Sequence, residues 1–231
     1  GGGLCTGVST LAKMLNPKIK VIGVEPAGAS CMKESLRQGK VVTLPQVNTI
    51  ADGTAVKRPG EKLFPYIQEN VDEIITIDDN ELIVAFLDMV ENHKMIVENS
   101  GLLTVAALKH IKAEKKKVVS ILSGGNMDVI TLSSIVQHGL IQRDRVFTVS
   151  VLLPDKPGEL ARVSSLLAEQ HGNIIKLEHN QFISINRNAA VELRITMEAF
   201  GTEHKNQIVT ALTDAGYRPK LVKVKGTYSE M

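Results

Sequence analysis

Tryptophan is absent from this 231-residue sequence, and aromatic residues account for only 3% of it. A core built from this composition must rest on leucine, isoleucine, valine and alanine. Cysteine is scarce too. Cys5 and Cys31 offer neither metal-ligand spacing nor a disulfide framework, which suits a reducing, cytoplasmic setting. No apolar run approaches the ~20 residues a membrane helix needs, and no signal peptide is visible. Strong charge of one sign is missing as well: the net charge is +2, with acidic and basic residues interleaved. The one basic run, Lys115-Lys116-Lys117, reads as a solvated turn, because a nucleic-acid partner would need a broader basic face. The histidines show no metal spacing, and His93 and His179 read as surface residues. No Ser-His-Asp order stands in a nucleophile-elbow context. Membrane, nucleic-acid and serine-hydrolase classes are thereby set aside.

What is present is an ordinary globular balance, 43% hydrophobic and 23% charged, in enough chain for two small domains. The sequence opens on Gly1-Gly2-Gly3-Leu4 without an initiator methionine, so a fragment or a cleaved product is expected. Leu4, Val8, Leu11 and Leu15 have the spacing of a helix with one buried face, which Asn16-Pro17 ends. A short strand is predicted over 20–24 and a helix over 30–38, stopped by Gly39. Pro45, Asp52-Gly53 and Pro59-Gly60 punctuate a looser segment. Residues 73–77 read as a strand, and 81–91 and 101–111 as helices. The apolar run 118–122 has the pattern of a strand covered on both faces, broken by Ser123-Gly124-Gly125-Asn126 before a helix near Asp128. Strand, glycine loop and helix in repetition predict a parallel α/β sheet.

The character changes near 142–145. An alternating strand (145–153), a helix (157–170) opened by Pro157, strands 173–182 and 189–197 around the polar turn Asn186-Arg187-Asn188, a helix (202–215) ended by Gly216, and a strand (220–225) follow. The order βαββαβ is a ferredoxin-like unit. Two domains are expected, 1–142 and 145–231.

A glycine run feeding a helix can hold a phosphate, since backbone N–H groups converge on the anion and the helix N-terminus favours negative charge. The same triplet could equally be a flexible terminal scar. Ser123, at the end of an apolar run, stands where ligands gather in open α/β sheets. Alternatively it bonds only local backbone.

Gly1-Gly2-Gly3-Leu4 with Gly7, Val21-Ile22-Gly23-Val24-Glu25-Pro26, Ala51-Asp52-Gly53, Glu98-Asn99-Ser100-Gly101 and Ser123-Gly124-Gly125-Asn126, in that order, resemble the threonine ammonia-lyase and serine racemase family of fold-type II pyridoxal-phosphate (PLP) enzymes. The resemblance covers roughly residues 1–140. It implies that Gly1, Gly2, Gly3 and Leu4 form the phosphate cup, the family's first glycine of four being absent. Gly53 would lie near the cofactor ring, and Ser123 would hydrogen-bond the pyridine nitrogen. A hydroxyl partner there makes a weaker electron sink than a carboxylate, which suits elimination of a β-hydroxyl. The implied reaction converts L-threonine to 2-oxobutanoate and ammonia, with L-serine a lesser substrate. The family's Schiff-base lysine lies upstream of the glycine loop, so no catalytic residue of that kind is expected here, and the chain alone is expected to be inactive. Glu98 would be either a polar residue near the ring or a structural carboxylate at a helix start. Glu25 and the carbonyl of Ala29 match a cation site of serine racemase-like members, but Cys31 replaces the third ligand. A thiol does not suit Mg²⁺ or Ca²⁺, which leaves a monovalent ion or none favoured over a divalent one.

Asp155-Lys156-Pro157-Gly158-Glu159-Leu160 with Gly172-Asn173-Ile174 resembles the ACT domain, an amino-acid-sensing module, over about 145–225. The resemblance implies an effector site at Pro157, Gly158, Glu159, Leu160, Asn173 and Ile174, with isoleucine or valine as ligand, and side-by-side pairing into a homo-oligomer. The tail favours a threonine ammonia-lyase over a serine racemase or serine ammonia-lyase. A non-catalytic amino-acid sensor is the alternative of another class.

Overall fold

The computed structural model describes residues 1–180 and 191–222. Contacts divide the chain into two units, Gly1–Ile135 and Val136–Met231. The division falls within a helix, several residues before the change of character in the sequence.

In the first unit, helix α1 (Gly3–Leu15) leads to strand β1 (Ile22–Pro26), helix α2 (Cys31–Gln38), helix α3 (Phe64–Asn70) and strand β2 (Glu73–Ile77). The two strands pair in parallel, Ile22 opposite Glu73 and Pro26 opposite Ile77. Helix α2 stops where expected, with Gly39 left-handed at φ 68°. Helix α4 (Asp79–Asp88) begins two residues before the apolar period. Its start is set by a reciprocal cap: Asp78 accepts from the Glu81 N–H, and Glu81 accepts from the Asp78 N–H. Helix α5 (Asn99–Ala106) continues as a 3₁₀ turn to His110. Helix α6 (Val129–Gln142) crosses the boundary between the units. Phe86, Ile77, Leu82 and Leu102 are among the fully buried side chains.

Two expectations for this unit are corrected. The buried face of α1 is not the leucine stripe. Ser9 is fully buried, whereas Leu4, Leu11 and Leu15 are 58%, 58% and 77% exposed. Helical spacing identifies residues that share a face, and here the inner side carries Cys5 and Ser9 instead. Residues 118–122 do not form a strand. A strand exists only through a ladder partner, and among the described residues none pairs with this run. It is held by side chains to α5, where Thr104 Oγ1 donates to Ile121 O at 3.0 Å. Val119 is 86% exposed.

The second unit continues with strand β3 (Val146–Leu153), helix α7 (Glu159–Glu169), strands β4 (Asn173–Asn180) and β5 (Val191–Glu198), helix α8 (Thr202–Asp214) and strand β6 (Lys220–Val222). The antiparallel sheet runs β4-β5-β3-β6, as the ferredoxin-like order requires. Alternation on β3 and β5 sends Val149, Val151, Leu153, Leu193, Ile195 and Met197 inward, against Val163 and Leu167 of α7 and Ile208 and Leu212 of α8. Pro157 lies before α7 rather than in its first turn, and Gly158 is the N-cap at φ 94°. The turn 186–188 and the end of the last predicted strand fall outside the described residues. The lysine run lies at a turn closed by Lys116 N–H donating to Ala113 O, and His93 and His179 are exposed.

Candidate cofactor site

The glycine loop becomes the N-terminus of a 13-residue helix. The first N–H groups of any α-helix lack intrahelical acceptors. Here no side chain caps them, and no acidic residue occupies the first turn. Gly2, at φ 102°, takes a left-handed conformation, and a Cβ there would stand 2.8 Å from Ile67 Cδ1 and 2.9 Å from Met32 Cε. The Gly1 carbonyl is fixed by the Gly60 N–H at 2.9 Å. Around Gly1 and Gly3, by contrast, nothing lies within 4 Å of a notional Cβ. The loop is pinned on one side and open on the other, with donors and a helix dipole that suit a phosphate.

Three other motif segments meet at the start of α5. A Cβ on Gly53 would lie 2.9 Å from Ser100 Oγ and 3.5 Å from Glu98 Oε1, and one on Gly101 only 2.0 Å from the Ser123 carbonyl oxygen. Gly124 is left-handed at φ 86°, with the Glu98 carboxyl carbon 2.2 Å from where its Cβ would be. Glu98 acts as a clasp: its N–H donates to Gly124 O, and Oε2 accepts from the Asn126 N–H, both at 3.3 Å. Glu98 stands at the N-cap of α5, but its carboxylate makes no capping bond there and holds the loop at Asn126 instead. Ser123 is half-buried, and its hydroxyl has no partner among the described residues, so it is available as a donor.

Sequence reasoning missed two supports of this cradle. Asn99, 7% exposed, donates through Nδ2 to Ile50 O at 2.9 Å. Asp79 accepts from Thr49 Oγ1 at 2.7 Å and from the Ile50 N–H at 3.1 Å, fixing the approach to Gly53. Asn99 was visible inside a motif. Asp79 carried no signal beyond its place at a helix start.

Glu25 accepts from the Met32 and Lys33 N–H groups at 3.1 and 2.7 Å. Burial pushes its carboxyl pKa up, against the pull of those two bonds and the charge of Lys33. The thiols of Cys5 and Cys31 are also pushed up, by burial first and then by the Glu25 charge. The carboxylate thus caps the start of α2, and among the described residues no group of three or more His, Cys, Asp or Glu side chains is placed to hold a metal ion. Ala29, the other expected ligand, is buried.

A sequence model of the pyridoxal-phosphate dependent enzymes matches residues 1–124. The chain belongs to that family. An ACT domain model matches residues 147–216. An L-threonine ammonia-lyase of Geobacter sulfurreducens is 36% identical over 225 residues, covering 96% of this chain and 56% of its own length. The chain thus spans about half the length of that relative. Among solved structures, a processed threonine deaminase of Solanum lycopersicum is 37% identical with TM-score 0.55, covering 59% of this chain and 39% of its own. Maize serine racemase is 39% identical with TM-score 0.54, covering 60% and 45%. The family is PLP-dependent, and the glycine loop, open around Gly1 and Gly3, has donors able to face a phosphate.

The residues expected to form the effector site are not brought together. The register sets Asn173 and Val146 both opposite Glu198, while Leu153, which leads to Pro157 and Gly158, is opposite Val191. Asn173 and Ile174 therefore lie at one end of the sheet, and Pro157, Gly158, Glu159 and Leu160 follow its other end. The eight residues of β3 separate them by about 23 Å. Glu159 itself is engaged by the Tyr217 hydroxyl at 3.2 Å. No helix among the described residues is long and apolar enough to cross a membrane.

Proposed function

We propose that this chain is the C-terminal portion of a threonine ammonia-lyase that removes the β-hydroxyl and amino group of L-threonine to give 2-oxobutanoate and ammonia, with L-serine a lesser substrate. The observation that carries the reading is the convergence of Gly53, Glu98, Ser123 and Gly124, with a free serine hydroxyl in the cradle. PLP supplies the electron sink that labilises the substrate's Cα–H bond. The chain's own residues hold and orient. The N–H groups at Gly3 and Leu4 would hold the phosphate, the Ser123 hydroxyl would donate to the ring nitrogen, and Glu98 keeps the Ser123–Asn126 loop in place. With a neutral hydroxyl as its partner that nitrogen would not need to be protonated, a weaker electron sink that would suit elimination of a β-hydroxyl.

The lysine that carries the cofactor is assigned to the portion of the relatives that this chain does not span. The 231-residue chain is therefore inactive by itself. Lys13 and Lys20 sit on surface aspartate and glutamate partners. The likeness to serine racemases supports a second reading, serine racemisation or deamination, and the ACT domain favours the lyase. The deciding experiment supplies L-threonine and L-serine to a polypeptide joining this chain to the missing portion. Formation of 2-oxobutanoate is expected, and D-serine without any 2-oxo acid overturns the reading. So does threonine turnover by the isolated chain.

Regulation by isoleucine or valine belongs to the same proposal. Because Gly158 and Asn173 lie at opposite ends of one sheet, a shared effector site needs two copies. Strand β4 is an edge strand of the sheet. Pairing two such edges antiparallel brings Asn173 of one copy towards Gly158 of the other, in a homo-oligomer. Sedimentation equilibrium that finds only monomer with and without isoleucine would remove this arrangement.

A further inference from the structure

Residues 48–51 lead to the 3₁₀ turn Asp52–Thr54 with no strand to hold them, yet their backbone is tied at successive residues. The Asn48 N–H donates to Gly28 O at 2.9 Å. The Ile50 N–H donates to Asp79 Oδ2 at 3.1 Å, and the Ile50 carbonyl accepts from Asn99 Nδ2 at 2.9 Å. The Ala51 N–H donates to Thr49 Oγ1 at 3.2 Å. Ala51 O accepts from both the N–H and the hydroxyl of Thr54, each at 2.9 Å.

Asp79 and Asn99 are the first residues of α4 and α5, and those helices pack on each other. Ile50 is thus clamped at its N–H and at its carbonyl by side chains on rigid elements. Asn99 also follows Glu98 directly. Glu98 holds the facing loop, through the Asn126 N–H and Gly124 O. One helix start therefore grips both walls of the cradle, the Gly53 side through Asn99 and the Ser123–Asn126 side through Glu98. Asn99 is 7% exposed, and its Oδ1 is buried with no hydrogen-bond partner among the described residues. Burying an unpaired acceptor is unfavourable, so for local stability an apolar side chain of that size would serve better. What only the amide supplies is the donor to Ile50.

We infer that Asn99 is a positioning residue of the cofactor site: by fixing Ile50 it sets the separation between Gly53 and the Ser123 loop, and so the width of the slot that receives the PLP ring. It acts through residues 50–53. The inference rests on the proposed placement of the ring between Gly53 and Ser123.

The test titrates PLP into the polypeptide joining this chain to the missing portion, followed by cofactor absorbance, with hydrogen exchange read on peptides spanning 48–54. Asn99→Ala should speed exchange there and weaken PLP binding about three- to tenfold, the loss of one hydrogen bond. Asn99→Asp has nearly the same shape but donates only when protonated. Burial favours the neutral form, and Asp79 on the same peptide and Glu98 next in the chain are acidic groups that push the same way. PLP affinity relative to the unaltered protein at the same pH should therefore recover as pH falls from about 8 to about 5.5. Lost packing alone would show no such recovery. Asp79→Asn weakens the other side of the clamp, should act in the same direction, and serves if Asn99→Ala fails to fold. Unchanged exchange at 48–54 in Asn99→Ala, or PLP affinity within about twofold, overturns the inference. So does an Asn99→Asp deficit that stays constant with pH. Ser123→Ala tests the placement separately. If it binds PLP with unchanged affinity and absorbance, the ring does not stand at Ser123 and the placement itself falls. If Ser123→Ala is impaired and Asn99→Ala is not, the placement stands and this inference falls.

Discussion

Replacing Gly124 by alanine tests the cradle most directly. Two costs arise, and the structure separates them. The first is conformational: at φ 86° an L-residue sits in the left-handed region, which costs about 1–2 kcal/mol. The second is steric. The new Cβ would stand 2.2 Å from the Glu98 carboxyl carbon, so the carboxylate must leave and its bond to the Asn126 N–H is lost. A hydrogen bond to a charged group contributes about 1.5–3 kcal/mol. The sum, about 2.5–5 kcal/mol, corresponds to roughly two to three and a half orders of magnitude in a local opening equilibrium at about 1.4 kcal/mol per factor of ten. Hydrogen exchange resolved by mass spectrometry reads this on peptides spanning 97–128, with peptides from the second unit as internal control. A double-mutant cycle then isolates the steric part. In a Glu98→Ala background the alanine at 124 has no carboxylate to displace, so only the conformational cost should remain. The two substitutions should therefore couple by about 1.5–3 kcal/mol. Additivity within about 0.5 kcal/mol would refute the claim that the Glu98 contact is what demands glycine.

Other perturbations separate the units in the same way. Leu193→Ala empties a fully buried site in the second unit and should cost that unit about 2–5 kcal/mol in urea unfolding while leaving exchange in residues 1–135 unchanged. Asp78→Ala removes the side-chain cap of α4 while keeping the backbone N–H that donates to Glu81, at about 0.5–2 kcal/mol, read as faster exchange in the first turn of that helix. Asp72 accepts from Lys13 and from the Val21 N–H, and those bonds hold its carboxyl below the usual aspartate range. Because the folded pKa is the lower one, the contribution is present at neutral pH and is lost as pH falls through the lowered value. Asp72→Asn should thus cost less than about 1 kcal/mol at pH 7, the pair being surface-exposed, and the difference from wild type should vanish in acid. A difference that grows on acidification would contradict the sign.

Much of this architecture could be read from the sequence, and the exceptions share a cause. Strand β2 and the stop of α2 at Gly39 follow from local signals, which act within a few residues. The alternating strand of the second unit was legible for the same reason, since each of its inward residues meets α7 or α8 within the same small unit. The failures lie where the outcome depends on a partner. The leucines of α1 and the run 118–122 have the patterns of buried segments, yet pattern states only that a face is apolar and cannot say what covers it. The same limit governs the function. Gly124 and Ser123 were legible as a motif, but only the fold shows that Glu98 occupies the space a side chain at 124 would need. That contact turns a glycine from a marker of resemblance into a physical requirement. The effector motif shows the reverse. Its residues match in sequence, but the register of β3, β4 and β5 sends Asn173 and Gly158 to opposite ends, so one chain cannot close that site. With its motif split in this way, the proposed regulatory site needs a second copy to complete it, which is why that proposal carries an oligomer with it.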